Sequence, residues 1–155
     1  MLDGYSKKGK ECLIRAVSLA ATARIRHIRM IVFAYGGGVN QYATDSRAGC
    51  LVGIEKCPNC ETEGSLVGHG VYWRKPRDGK VVYRIPIRRW RCKSCGHTVS
   101  ALPDFLLRSR WYLLAVIGQV LVQRAEGGAS WSELESVWDN APVLRTIQRW
   151  WASFG

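Results

Sequence analysis

The sequence predicts an α+β fold, a small β-hairpin domain followed by a compact domain of three helices. Three observations carry this expectation. Two C-x-x-C pairs stand 31 residues apart, two β-branched and aromatic runs between them meet at a Pro-Arg-Asp-Gly turn, and beyond Pro103 the apolar period lengthens from two residues to three or four. With 155 residues, 47% of them apolar, the chain can bury one ordinary core or two very small ones.

Residues 1–29 carry seven basic and two acidic residues without a strong helical or strand period. Two expectations attach to this stretch. It is either a basic extension that is disordered or not translated, with Met30 as the natural start, or an amphipathic helix with its Lys and Arg on the wet side. Ala21-Thr22-Ala23 imitates a signal-peptidase site, but Arg15 breaks the preceding apolar run, so export is not expected. Met30 then opens a short strand, "MIVFAY", which Gly36, Gly37 and Gly38 end. That strand leads a first domain spanning 30–102.

"GHGVYWRK" (68–75) and "KVVYRIPIRRWRC" (80–92) read as antiparallel strands folded about Asp78-Gly79. In the second, Val81, Tyr83, Ile85 and Ile87 share one face, whereas Val82, Arg84, Pro86 and Arg88 share the other. Proline cannot donate to a ladder, so an edge position or a bulge is expected at Pro86. The second domain, 103–155, begins with a helix from about Asp104, a plausible N-cap, to Arg124, closed by Gly127-Gly128. Ser130 precedes Glu133 at capping-box spacing and starts a short helix with Trp131, Leu134, Val137 and Trp138 on one side. In "VLRTIQRWWASF" the residues Val143, Leu144, Ile147, Trp150, Trp151 and Phe154 form one helical stripe. Arg145, Thr146, Gln148 and Arg149 lie opposite.

Cys57, Cys60, Cys92 and Cys95 carry the clearest chemistry. A two-residue gap lets both sulfurs of a tight turn face one ion, and Zn²⁺ prefers four such thiolates in a tetrahedron. The insert is longer than the usual fifteen to twenty or so residues, and a hairpin absorbs the excess by returning to its origin. One structural Zn²⁺ is therefore expected, contributing on the order of 10 kcal/mol to folding. A redox C-x-x-C and a pair of disulfides are the competing readings; the first wants a helix N-terminus, the second an oxidising compartment. His69 and His97 could replace a cysteine ligand but are expected as hairpin or phosphate-contact residues. Cys12 and Cys50 have no partner at ligand spacing.

The net charge is +11, and residues 70–110 hold eleven Lys/Arg against two acids. Such a concentration marks a phosphate-binding surface. Arg74, Lys75, Arg84, Arg88, Arg89, Arg91 and Lys93 are the candidate contacts on the ribbon. The three helices read as a helix-turn-helix, with Arg145, Thr146, Gln148 and Arg149 on a recognition helix able to meet bases and phosphates. Tyr72, Trp73 and Trp90 interleave with the ribbon arginines, either as stacking platforms or as cross-strand packing pairs.

The run from "CPNC" through "GHGVYWRK" and "YRIPIRRWRCKSCGHTVSALPDFLL" to "RTIQRW" resembles an uncharacterised bacterial family with a zinc ribbon and a helix-turn-helix. It is similar to the N-terminal DNA-binding region of insertion-sequence transposases, over residues 30–155. The resemblance implies a cytoplasmic, nucleoid-associated protein that binds double-stranded DNA, with the four cysteines at the zinc positions and 145–149 in the recognition helix. A transposon-derived regulator or accessory factor follows from it. The alternative is an adaptor whose ribbon binds a transposase, a polymerase subunit or another protein. The twelve acids show no paired-carboxylate pattern, so no enzyme is expected. No apolar run reaches the roughly 18 residues of a membrane span.

Overall fold

The computed structural model describes residues 30–48, 53–79, 81–136 and 142–154. Expectations for residues 1–29, Cys12, Cys50, Val137 and Trp138 lie outside them. Among the described residues six strands and four helices follow one another as β1 (Met30–Phe33), α1 (Val39–Arg47), β2 (Leu66–Arg74), β3 (Arg77–Asp78), β4 (Val81–Val82), β5 (Ile85–Cys92), β6 (Thr98–Pro103), α2 (Leu114–Ala125), α3 (Trp131–Ser136) and α4 (Leu144–Phe154).

The expected hairpin is present as β2 and β5, antiparallel from Leu66 opposite Cys92 to Arg74 opposite Ile85. It continues past Pro76 into the small β3–β4 ladder, where Gly79 turns at φ +53°, a left-handed conformation that suits glycine. The ribbon does not stand alone. β6 adds to β5 antiparallel and β1 adds to β6 in parallel, giving one four-stranded mixed sheet in the order β1-β6-β5-β2. Pro86 thus lies on an inner strand, paired with Trp73 of β2 but beyond the β6 ladder, which reaches only Arg89. Its carbonyl accepts instead from Tyr42 Oη of α1 at 2.9 Å. The irregularity falls on β2, where His69 and Gly70 oppose Arg89 in a bulge with Gly70 at φ +83°.

The expected fold class, a zinc-ribbon hairpin domain followed by a three-helix helix-turn-helix domain, is overturned. β6 runs through the expected boundary to Pro103, and residues 104–113 are not helix but a connection tied to the sheet. Asp104, expected as an N-cap, donates its N–H to Phe33 O; Arg77 N donates to Trp111 O, and Leu113 N to Arg77 O. α2 therefore begins only at Leu114. One core gathers Phe33, Tyr42, Ile85, Ile87, Trp90 and Leu102 with Val116 of α2, and a second gathers Ile117 and Val120 of α2 with Leu134, Ile147 and Trp150. α2 is a wall common to both, so the helices extend the sheet's interior rather than form a separate reading head. α3, at six residues, is less than two turns long.

Other local readings held. Ser130 and Glu133 form the reciprocal cap, with Ser130 N donating to Glu133 Oε2 at 2.6 Å and Glu133 N to Ser130 Oγ at 3.3 Å. α2 ends at Ala125, before Gly127 and Gly128. Of the α4 stripe, Ile147 and Trp150 are buried, whereas Val143 and Phe154 remain exposed.

Candidate metal centre

Each cysteine pair sits in a tight turn, and the two turns match bond for bond. Cys57 N donates to Thr62 O and Glu61 N to Cys57 O; Cys92 N donates to His97 O and Gly96 N to Cys92 O. Both turns need a left-handed residue directly after the second cysteine. Gly96 supplies it at φ +73°, and Glu61 adopts it at φ +60° despite carrying a side chain. Lys93 N bonds Ser65 O and Leu66 pairs with Cys92, so the ribbon brings the turns face to face.

All four sulfurs lie within 4.8 Å of one another. The cross-turn pairs are Cys57 with Cys95 at 3.8 Å and Cys60 with Cys92 at 3.6 Å. A tetrahedron with metal–sulfur bonds of about 2.3 Å has sulfur–sulfur edges of about 3.8 Å, so the donor set fits a single thiophilic ion such as Zn²⁺. No disulfide joins them. Neither pair opens a helix, the setting a redox C-x-x-C uses. Cys57 and Cys92 are fully buried, Cys60 and Cys95 partly so.

The surroundings favour thiolate on one side of the cluster. Ser65 Oγ lies 3.2 Å from Cys92 Sγ and, with the Cys95 N–H at 3.5 Å, holds that thiol down to about 5. The backbone N–H of His97 chiefly lowers Cys95. Burial instead pushes the Cys57 thiol up to about 12. Four anionic sulfurs at such separations would repel, and a divalent cation removes that conflict by stabilising every thiolate at once. His97 lies outside the four-sulfur set: its Nδ1 is 3.2 Å from Asn59 Nδ2 of the other turn, from which the unprotonated nitrogen accepts, and 3.1 Å from Cys95 O, to which the protonated one donates. His69 sits exposed in the β2 bulge.

The candidate anion contacts divide. Arg74 is half-buried and spent inside the fold, donating to Leu107 O at 3.1 Å and to Arg110 O; burial lowers its pKa. Arg84 stacks over Trp73, its Cζ 4.5 Å from the ring centroid, and Arg88 lies 5.4 Å over Trp90. Lys75, Arg91 and Lys93 are exposed; Arg89 is half-buried, with its Nε lacking an acceptor among the described residues. Tyr72 and Trp90 pack in or against the first core, so only Trp73, 52% exposed, is open for stacking. Arg145, Gln148 and Arg149 are exposed on α4 with Thr146 half-covered, but α4 packs through Ile147 and Trp150 into the second core, and the described residues form no separate helix-turn-helix domain. Sequence reasoning missed Ser65, Asn59 and Glu61; their roles arise only where the two turns meet.

A family model described as a domain of unknown function, DUF6431, matches residues 57–150, more than half of the chain. The chain belongs to that family. The DUF6431 match opens on the first cysteine of the metal centre and closes on Trp150 of the second core. It thus takes in both turns, the ribbon, β6 and the helices, and leaves β1 and α1 outside. No curated protein and no solved structure matches the chain. No helix among the described residues is long and apolar enough to cross a membrane.

Proposed function

We propose that this DUF6431 protein is a non-enzymatic binder of double-stranded DNA, built around one structural Zn²⁺, and that the β2–β5 ribbon is its contact surface. The observation that carries the reading is the stack of Arg84 on exposed Trp73, set in a ribbon where Lys75, Arg88, Arg91 and Lys93 have no carboxylate partner within 4 Å among the described residues. From Ile85 to Arg88 the β2–β5 pair runs beyond the β6 ladder, and a two-stranded ribbon of that kind fits the major groove; guanidinium groups held on aromatic rings keep their donors turned outward for phosphate or guanine. The zinc would fix the far end of the ribbon, where Cys92 ends β5. The resemblance to the DNA-binding region of insertion-sequence transposases supports a transposon-derived regulator or accessory factor, associated with the nucleoid.

Electrophoretic shift of duplex DNA at increasing salt tests this. Affinity should fall steeply through counterion release, more weakly so after Arg84→Ala or Arg88→Ala, and chelation should abolish the shift. A flat salt response would refute the reading. A second reading, an adaptor for a protein partner, draws on the apolar groove of about 210 Å³ formed by Leu107, Leu114, Ile117, Leu121 and Phe154. Capture of a transposase or polymerase subunit that survives nuclease treatment would favour it.

A further inference from the structure

A concavity of about 480 Å³ lies where β3, the connection after β6 and α4 converge. Its volume is that of a small-molecule site. Three arginines line it, one from each element: Arg77, Arg110 and Arg149. No carboxylate lines the cleft, and none pairs with these guanidiniums within 4 Å among the described residues. Three like charges around one concavity repel each other, and an anion between them reverses the sign of that energy. Arg110 is already oriented, its Nη2 3.3 Å from Ser153 Oγ and its Cζ 5.6 Å over the Phe154 ring.

Two further observations point to more than a bare anion. Trp111 lines the cleft and, at 67%, is the most exposed large apolar side chain among the described residues. Its carbonyl is fixed by Arg77 N at 2.7 Å, so the indole is held at the rim on an ordered backbone. An anchored, uncovered indole is a stacking surface for a planar ring. Ser109, also in the lining, stands at φ +58°, a strained conformation for a residue with a side chain. The only other such residue among those described is Glu61, at the metal centre.

We propose that this cleft binds a single nucleotide, its 5′-phosphate held by Arg77, Arg110 and Arg149 and its base stacked on Trp111. Thr146 and Ser109 add hydroxyls within the same lining. A paired base inside a duplex cannot reach such a rim, so the ligand is either a free nucleotide or the unpaired, phosphorylated end of a strand. The site shares no residue with the ribbon contacts Arg84 and Arg88, and the two readings can fail separately.

Calorimetric titration of the full, metal-loaded chain tests it with adenosine monophosphate, adenosine and inorganic phosphate as probes. Adenosine monophosphate should bind about tenfold or more tightly than either fragment, since only it engages both the arginines and the indole. Trp111→Ala and Arg149→Ala, both at exposed side chains, should each weaken it about tenfold while leaving the melting temperature and the duplex shift unchanged. Short oligonucleotides with a 5′-phosphate or a 5′-hydroxyl form the second arm. Tighter binding of the phosphorylated strand than of the mononucleotide identifies a strand end as the ligand; equal or weaker binding identifies the free nucleotide. Adenosine monophosphate binding no better than phosphate, or equal binding by both variants, would overturn the assignment.

Discussion

Replacing Gly96 with alanine isolates what the left-handed residue contributes to the metal turn. A Cβ built at Gly96 meets nothing within 4 Å, so the change introduces no clash and the whole effect is conformational. Holding an L-residue at φ +73° costs about 1–2 kcal/mol, partly offset by the smaller entropy alanine loses from the unfolded chain, roughly 0.4–1 kcal/mol. The net is a loss of about 1 kcal/mol. If metal binding requires the folded turn, this appears as about a fivefold weaker metal affinity. Glu61 occupies the same place in the other turn with the strain already present, so Glu61→Gly should leave affinity unchanged or raise it by a similar factor. Its ion pair with Lys56, 3.6 Å long and exposed, is worth little. Competition against a chromogenic chelator measures both. An unaffected Gly96→Ala together with a weakened Glu61→Gly would refute the reasoning, because turn chemistry and not φ would then decide.

Arg74→Lys should destabilise the fold by about 2 kcal/mol in chemical denaturation, since an ammonium cannot satisfy both Leu107 O and Arg110 O in the fork that guanidinium does. An unchanged midpoint would show these carbonyls to be hydrated instead. Ser130→Ala should cost about 1 kcal/mol in the same assay by removing the side-chain acceptor for Glu133 N; no loss would mean the cap is idle. Metal affinity should rise with pH about tenfold per unit for each proton displaced, because Cys57, pushed up to about 12, is protonated near neutrality and must ionise to bind. Chelator competition across neutral pH checks the slope, and a flat profile would contradict the buried thiol.

The metal turns were legible because their chemistry is written in spacing: two residues between cysteines, a glycine after Cys95, and a foldable insert. The cap was legible for the same reason, Ser130 and Glu133 standing at a fixed offset. What escaped depends on distant pairing. Met30 lies opposite Ser100 in a parallel ladder that no local period announces, so β1 and β6 could not be joined to the ribbon beforehand. Asp104 followed by Phe-Leu-Leu has the composition of a helix start, yet its N–H is taken by Phe33 O from a strand seventy residues earlier. Among many arginines, Arg74 carries no mark that separates it from its neighbours. Only its depth, and the two carbonyls it meets, make it structural.

The bulge at His69 and Gly70 bears on how molecules of this protein meet each other. β2 forms one outer margin of the sheet, and margins invite a strand from another copy to zip alongside. Here an approaching strand could stay in step only along 66–68 or 71–74 before the spacing of donors and acceptors slips. Runs that short make poor templates, so a surface rich in valine and tryptophan can remain open to solvent without seeding fibrils.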